Sequence, residues 1–406
     1  MIAGCMWTAL RWRNYRIYIA GQTISLVGSF MQMAGISWLV YRLTQSEMAL
    51  GFYSFLTELS SVAVVLFAGV LADRTNPKSI LLSTNILAML QAFALSVLVF
   101  TSRIDIVIVF AFGCFLGLVN GFDAPARHAL LPNMVEDWSD LRNAISLYSL
   151  ALDTARLVGP ALAGMVIASW GEGMCFLANG VSYIVVAISL LSLKLKPRQR
   201  ASVHEDMFRS ISEGIRYVWG RRHIRSVILL VVCVSFGGSP VAVLMPVMAV
   251  AVLKGGPQTL GILLAATSLG ALAGAFFLGM KRDTGGLRHT MGAGACIYGF
   301  GIAAFSLSVW LSLSTVLLSI AGFGVMIMMA SGNTILLSEV GADKRGRVMS
   351  LFTLSFMGTV PFGSLCAGIL AKLIGAQATI ALGASVCIFG ALLFILFYCR
   401  SIPSKK

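Results

Sequence analysis

Gly69-Val-Leu-Ala-Asp-Arg-Thr-Asn-Pro-Lys78 is a short charged stretch set between two long apolar runs. Glycine permits close backbone approach. Pro77 suits the first turn of a following helix, where its missing N–H has no intrahelical partner to lose. Asp73, Arg74 and Lys78 place both signs of charge beside hydrocarbon. The spacing predicts a tight ionic hairpin between two membrane-length helices, a joint rather than a passive loop.

Working outward, apolar runs of the roughly 20 residues that cross a bilayer recur along the chain. In the first half they lie at about 17–42, 49–72, 78–101, 104–127, 143–169 and 173–194. In the second they lie at about 224–252, 258–280, 289–309, 312–336, 347–373 and 377–399. Of 406 residues 58% are hydrophobic and 11% charged, where a soluble domain carries roughly 25% charged residues. The chain therefore reads as an all-α membrane protein of twelve transmembrane helices. Residues 195–222 form the longest polar segment, with a short amphipathic helix expected around Phe208 to Trp219. The expected division is an N-terminal six-helix bundle (1–194), a cytoplasmic central loop (195–222) and a C-terminal six-helix bundle (223–406).

An even number of spans places both termini on one side, and cationic residues identify that side as cytoplasmic. Of the 30 lysines and arginines, 25 fall with the termini, nine of them between Lys194 and Arg225. Arg42, Arg103, Lys254 and Lys372 fall opposite, and Arg156 lies within a span. This placement explains the net charge of +14 without a nucleic-acid partner. The eight cysteines are scattered and show no metal or redox spacing. No metal or cofactor is expected. Met1-Ile-Ala-Gly-Cys5 mimics a lipoprotein cleavage box without the charged-then-apolar leader, and the first span is expected to remain in the mature protein.

The halves echo each other. At an offset of 210, Gly69…Asp73…Lys78 recurs as Gly279…Asp283…Arg288. At an offset of 204, Asn143-Ala-Ile-Ser-Leu147 faces Arg347-Val-Met-Ser-Leu351. Duplicated bundles meeting at a midplane site are a common transporter architecture.

Gly69-x-Leu-Ala-Asp73-Arg74-x-x-x-Lys78 resembles the signature loop of the major facilitator superfamily, and Arg156-Leu-Val-Gly159-Pro160-Ala-Leu-Ala-Gly164 resembles the Gly-Pro motif of its antiporter branches. Asn14-Tyr15-Arg16, Gly21-Gln22-x-x-Ser25, Trp38 to Ser46 and Asp123-Ala-Pro125-Ala-Arg127 are similar to the efflux branch that contains the enterobactin exporter. The resemblance implies the major facilitator fold of two pseudo-symmetric bundles and alternating access. It implies a cytoplasmic gate at Gly69, Asp73, Arg74, Lys78, Asp123, Arg127 and Asp283. There Asp73 would meet the start of span eleven near Arg347, and Arg74 would reach Asp123; the alternative is that these charges only fix the turn. Gly159, Pro160 and Gly164 would kink span five.

Three charges fall within spans: Glu58, Asp153 and Arg156. A charge at a helix centre costs at least about 2.5–3.5 kcal/mol, which marks these residues as functional candidates. Asp153 and Arg156, three apart, share a helix face and could be an ion pair. Glu58 has no partner in its own helix and is the better proton carrier, since a desolvated carboxylate holds a proton more readily. The resemblance also shows a departure. Phe110 to Gly117 lacks the arginine that proton-linked branches often carry in span four.

Gln22, Ser25, Ser29 and Gln32 form one polar face of span one, expected to wall a cavity. In the family, spans one, four, seven and ten line that cavity, which adds Phe115, Asn120, Ser235, Phe236, Met329 and Asn333, with a break in span seven at Gly237-Gly-Ser-Pro240. The chain thus reads as an inner-membrane transporter exporting a siderophore or other bulky amphipathic molecule, with protons as the coupling ion. Its partners would be the lipid bilayer and an outer-membrane component for onward export. The alternatives are an importer and a non-transporting membrane protein. No nucleophile or Walker constellation points to an enzyme.

Overall fold

A computed structural model describes residues 8–135, 137–194, 207–280 and 286–396, with side chains except at 66, 70, 72–74, 138, 139, 207–212, 342 and 343. Among the described residues the regular elements are helices: α1 (Arg13–Thr44), α2 (Glu47–Arg74), α3 (Pro77–Phe100), α4 (Ile106–Leu130), α5 (Trp138–Trp170), α6 (Glu172–Leu191) and α7 (Met207–Gly220) in the first part. There follow α8 (Arg222–Val247), α9 (Pro257–Met280), α10 (Leu287–Leu307), α11 (Leu311–Glu339), α12 (Ala342–Met357), α13 (Val360–Ile374) and α14 (Ala376–Phe394). Among the described residues twelve segments are long and apolar enough to cross a membrane, with α12 and α13 serving as one span over Lys344–Ile374. The amphipathic helix expected near Phe208 is α7.

The chain groups into two compact units. One holds Met1–Gln45, Leu56–Ser202 and Gly256–Ala265; the other holds Ser46–Phe55, Val203–Gly255 and Ala266–Lys406. The starts of α2 and α9 are thus grouped apart from the rest of their own helices. Backbone contact at glycine explains both cases. In the second unit a Cβ on Gly51 would lie 2.6 Å from the Ser364 carbonyl oxygen. In the first, a Cβ on Gly261 would lie 2.6 Å from that of Pro160.

In the first unit, α1 packs along α6 through Gly21, Gly28 and Gly35, seven residues apart on one face, where a Cβ would strike Ser189, Asn179 and Phe176. Such small residues let membrane helices approach closely. The helix ends are tied by charge. Arg11 reaches Asp137 and Asp140 at 2.6 and 2.7 Å, and the Trp12 indole donates to Asp140. The Ala9 N–H donates to the Asn143 side chain. At the far end, Arg42 binds Glu172 on the first turn of α6.

In the second unit, α8 runs unbroken through Gly237-Gly-Ser-Pro240, contrary to the expected break. These glycines serve packing instead: a Cβ on Gly237 would meet the Gly383 carbonyl, and one on Gly238 the Tyr298 ring. The irregularity comes later, as a π turn over Met248–Val252 that follows Pro246. The run 347–373, read as continuous, is interrupted at Gly358 and Thr359. Pro361 has no N–H to offer the carbonyl four residues back, that of Met357.

Candidate functional site

The charged loop is more helical than its sequence suggests. Gly69 to Arg74 are the last turns of α2, and the chain bends only at Thr75 and Asn76. Asn76 caps α3, its side-chain oxygen accepting from the Lys78 N–H at 3.0 Å, with Pro77 in the first turn as expected. Among the described residues nothing lies within 4 Å of a Cβ built on Gly69. Lys78 sends its ammonium to the Leu193 carbonyl at 2.9 Å and the Leu191 carbonyl at 3.4 Å. It caps the negative end of α6. The side chains of Asp73 and Arg74, and all of Asp283, lie outside the described residues.

The residues proposed to meet this loop are engaged elsewhere in their own units. Asp123 is held by Arg127 one turn on and accepts from Thr84 at 3.2 Å. The Arg127 guanidinium also stacks over Tyr148, 5.8 Å from the ring centre. Arg347 binds Glu213 of α7, which Lys344 approaches at 3.8 Å. Arg288, closing the second copy of the loop, donates to Glu339 at 2.6 Å, with His223 3.9 Å away.

The polar face of α1 is a helix seam rather than an open wall. Gln22, Ser25 and Gln32 are only 4%, 2% and 2% exposed. Gln32 donates to the Gln91 carbonyl oxygen at 3.0 Å and accepts from Asn179 at 2.8 Å, linking α1 to α3 and α6. Ser182 donates to Asn179 at 3.1 Å. The Ser29 and Tyr183 hydroxyls lie 3.3 Å apart. The reading as a cavity wall is corrected for this reason: in hydrocarbon, polar side chains pair between helices, and periodicity does not say which neighbour they face. The other cavity candidates are mixed. Asn120 and Phe236 are exposed, Phe115, Met329 and Asn333 half-buried. Ser235 is buried, with its hydroxyl unpaired among the described residues.

The in-span charges divide as their spacing suggests. Asp153 and Arg156 form an ion pair at 3.9 Å, and the Arg156 guanidinium lies 5.6 Å over the Phe30 ring. Gly159 lets α5 meet α1 there, since a Cβ would lie 2.6 Å from that of Phe30. Helix α5 continues through Pro160 to Trp170, and Gly164 faces the Pro257 carbonyl, 2.8 Å from a built Cβ. Glu58 is half-buried on α2, with no hydrogen bond or ion pair among the described residues. It stands beside a tight seam with α4, where Cβ atoms on Gly117 and Gly121 would strike the Thr57 and Ser61 carbonyls and Ser60 contacts Cys114 at 3.1 Å.

Sequence reasoning missed Glu213, Asp137, Asp140, Glu172 and Glu339 as anchors of helix ends. The offset of 204 held a signal for one of them, because it aligns Asp140 with Lys344, beside Asn143 with Arg347.

Comparison with known proteins agrees with this architecture. The chain is 22% identical over 387 residues to the staphyloferrin A transporter of Staphylococcus aureus, covering 94% of this chain and 96% of that one. It is 26% identical over 365 residues to the multidrug efflux pump Tap of Mycolicibacterium fortuitum, covering 87% and 88%. A solved nucleoside transporter superposes with a TM-score of 0.75 at 12% identity, over 95% of this chain and 99% of the other, a likeness of fold alone. The family described as transmembrane secretion effector matches residues 4–406. By that near-complete match, on twelve spans carrying the signature loop, the chain belongs to the transmembrane secretion effector family of major facilitator superfamily transporters.

Proposed function

We propose that the chain is a secondary active exporter of bulky amphipathic small molecules, a siderophore or drug-like compound, working by alternating access and driven by protons entering the cell. The observation that carries the coupling is Glu58, an in-span carboxylate without an ion-pair or hydrogen-bond partner among the described residues. An isolated carboxylate in a membrane gains most from binding a proton. Asp153 and Arg156 already neutralise each other, which leaves them a lesser part in proton binding. A family described by secretion, and a relative named as an efflux pump, support export. The staphyloferrin A transporter supports a siderophore as substrate; its name gives no direction, and uptake is the rival reading.

The distribution of cations supports termini in the cytoplasm, and the bacterial relatives support an inner membrane. The likeness of Asp73 and Arg74 to the signature loop supports a cytoplasmic gate at the end of α2.

The test uses inside-out vesicles carrying this chain alone, with an acid interior. Staphyloferrin A and cationic dyes should accumulate, and Glu58→Gln should abolish accumulation while ligand binding survives. Undiminished accumulation by Glu58→Gln removes Glu58 from the mechanism. Accumulation only when the vesicle exterior is made acid, substrate entering with the proton, makes the chain an importer.

A further inference from the structure

The short helix α7 has two unlike sides. One is anchored: Val218 is buried, Gly214 lies against Leu351 and the Arg347 backbone, and Glu213 holds Arg347 and Lys344. The other is apolar and open. Ile215 and Trp219, one turn apart, are 47% and 62% exposed. Immediately beyond Gly220 begins the membrane span of α8, so this edge sits at the level where a bilayer meets water.

The edge is ringed by cations. Arg216, Arg221 and Arg222 are exposed and Arg225 half-buried, and none of the four makes an ion pair among the described residues. Arg221 stacks on Tyr217 at 4.4 Å, and Arg225 lies over Trp219 at 5.9 Å. From Gly214 to Arg225 there is no acidic residue, and the charge of the preceding Glu213 is already neutralised. An aromatic and an aliphatic side chain beside guanidinium groups that have no ion-pair partner among the described residues, at the mouth of a span, match the acyl boundary and phosphate of a lipid. A soluble polyanion would meet the arginines but leave Ile215 and Trp219 in water.

We propose that the junction of α7 and α8 is a binding site for an anionic phospholipid of the leaflet on the side of the termini. Arg221, Arg222 and Arg225 hold the headgroup, and Ile215 with Trp219 enters the interface. The lipid completes the seating of α7, whose other side is fixed to α12.

The experiment places the full chain in phosphatidylcholine vesicles containing a few per cent of brominated phosphatidylglycerol, and reads tryptophan quenching. Subtracting the signal of Trp219→Phe isolates Trp219. Quenching should far exceed that from the same fraction of brominated phosphatidylcholine. Each cation near an anionic surface contributes about a fivefold preference, so R221Q/R222Q/R225Q should lower the enrichment about a hundredfold, and at least tenfold where salt screens the charges. The corresponding lysine triple variant should retain most of it, high salt should remove it from the unsubstituted chain, and millimolar inorganic phosphate should not displace it. Equal quenching by the two lipids, or enrichment unchanged in high salt and in the glutamine variant, overturns the proposal. Displacement by inorganic phosphate overturns its lipid identity.

Discussion

Replacing Gln32 with leucine separates the helix seam from the cavity wall, because the two readings move different observables. Gln32 is 2% exposed, and its amide is used at both ends, donating to Gln91 and accepting from Asn179. Leucine keeps much of the volume and removes both bonds. Hydrogen bonds between membrane helices average about 0.6 kcal/mol and reach about 1.7, so the two together contribute roughly 1–3 kcal/mol. The larger figure is favoured by what is left behind. Gln91 already has an unpaired amide nitrogen among the described residues and would lose the partner of its carbonyl oxygen as well. Asn179 would lose the Gln32 oxygen that accepts from its amide nitrogen.

The assay is reversible unfolding in mixed detergent micelles, read beside substrate affinity. Gln32→Leu should lower the unfolding free energy by about 1–3 kcal/mol and leave affinity within a factor of two. The triple variant Q32L/Q91L/N179L should recover most of the loss, because removing a whole polar cluster costs far less than orphaning part of it. Stability unchanged in Gln32→Leu, with affinity reduced tenfold, would restore this face to the substrate cavity and refute the seam.

Other residues give further tests. Lys78→Met removes the cation from the end of α6, so stability should fall by about 0.5–1 kcal/mol, with faster amide exchange confined to the last turn near Leu191. Gly117→Val would drive a side chain into the Thr57 carbonyl, and an overpacking cost of about 1–3 kcal/mol should appear in thermal unfolding. Glu213→Arg should loosen α7 and raise its protease sensitivity, and adding Arg347→Glu should restore protection, with a coupling of about 0.2–1 kcal/mol for a partly exposed pair.

The spans were legible because a run of about 20 apolar residues has few other uses, and the caps were legible where one side chain suffices, as at Asn76 with Pro77. One signal misled through context. Gly237, Gly238 and Pro240 form a strong turn signal in water, yet within α8 the glycines are packing sites for Gly383 and Tyr298. The same chemistry did interrupt α12 and α13, where Gly358 is followed by Pro361. The candidate site was read less fully. The pairing of Asp153 with Arg156 is local, three residues apart, and was visible. The bond of Gln32 to Asn179 joins residues 147 apart, and no periodicity within α1 identifies that partner.

The duplication shows a further limit on reading by residue identity. In the first unit a cation before α1, Arg11, binds acids at the start of α5, Asp137 and Asp140. In the second an acid of α7, Glu213, binds cations at the start of α12, Lys344 and Arg347. The offset of 204 carries Asp140 to Lys344, opposite in sign, and the neutral Asn143 to Arg347, so the anchors correspond in place and differ in charge. An ion pair requires opposite charges and is indifferent to which partner bears which. A half that reversed both members keeps its helix end tied and loses the likeness in sequence. The apolar residues after the anchor have no such freedom, and Leu147 and Leu351 match. Matching for opposite sign as well as identity would have marked Asp140 and Lys344 at the two helix starts, while Glu213, which falls on Ala9 at this offset, carries no such signal.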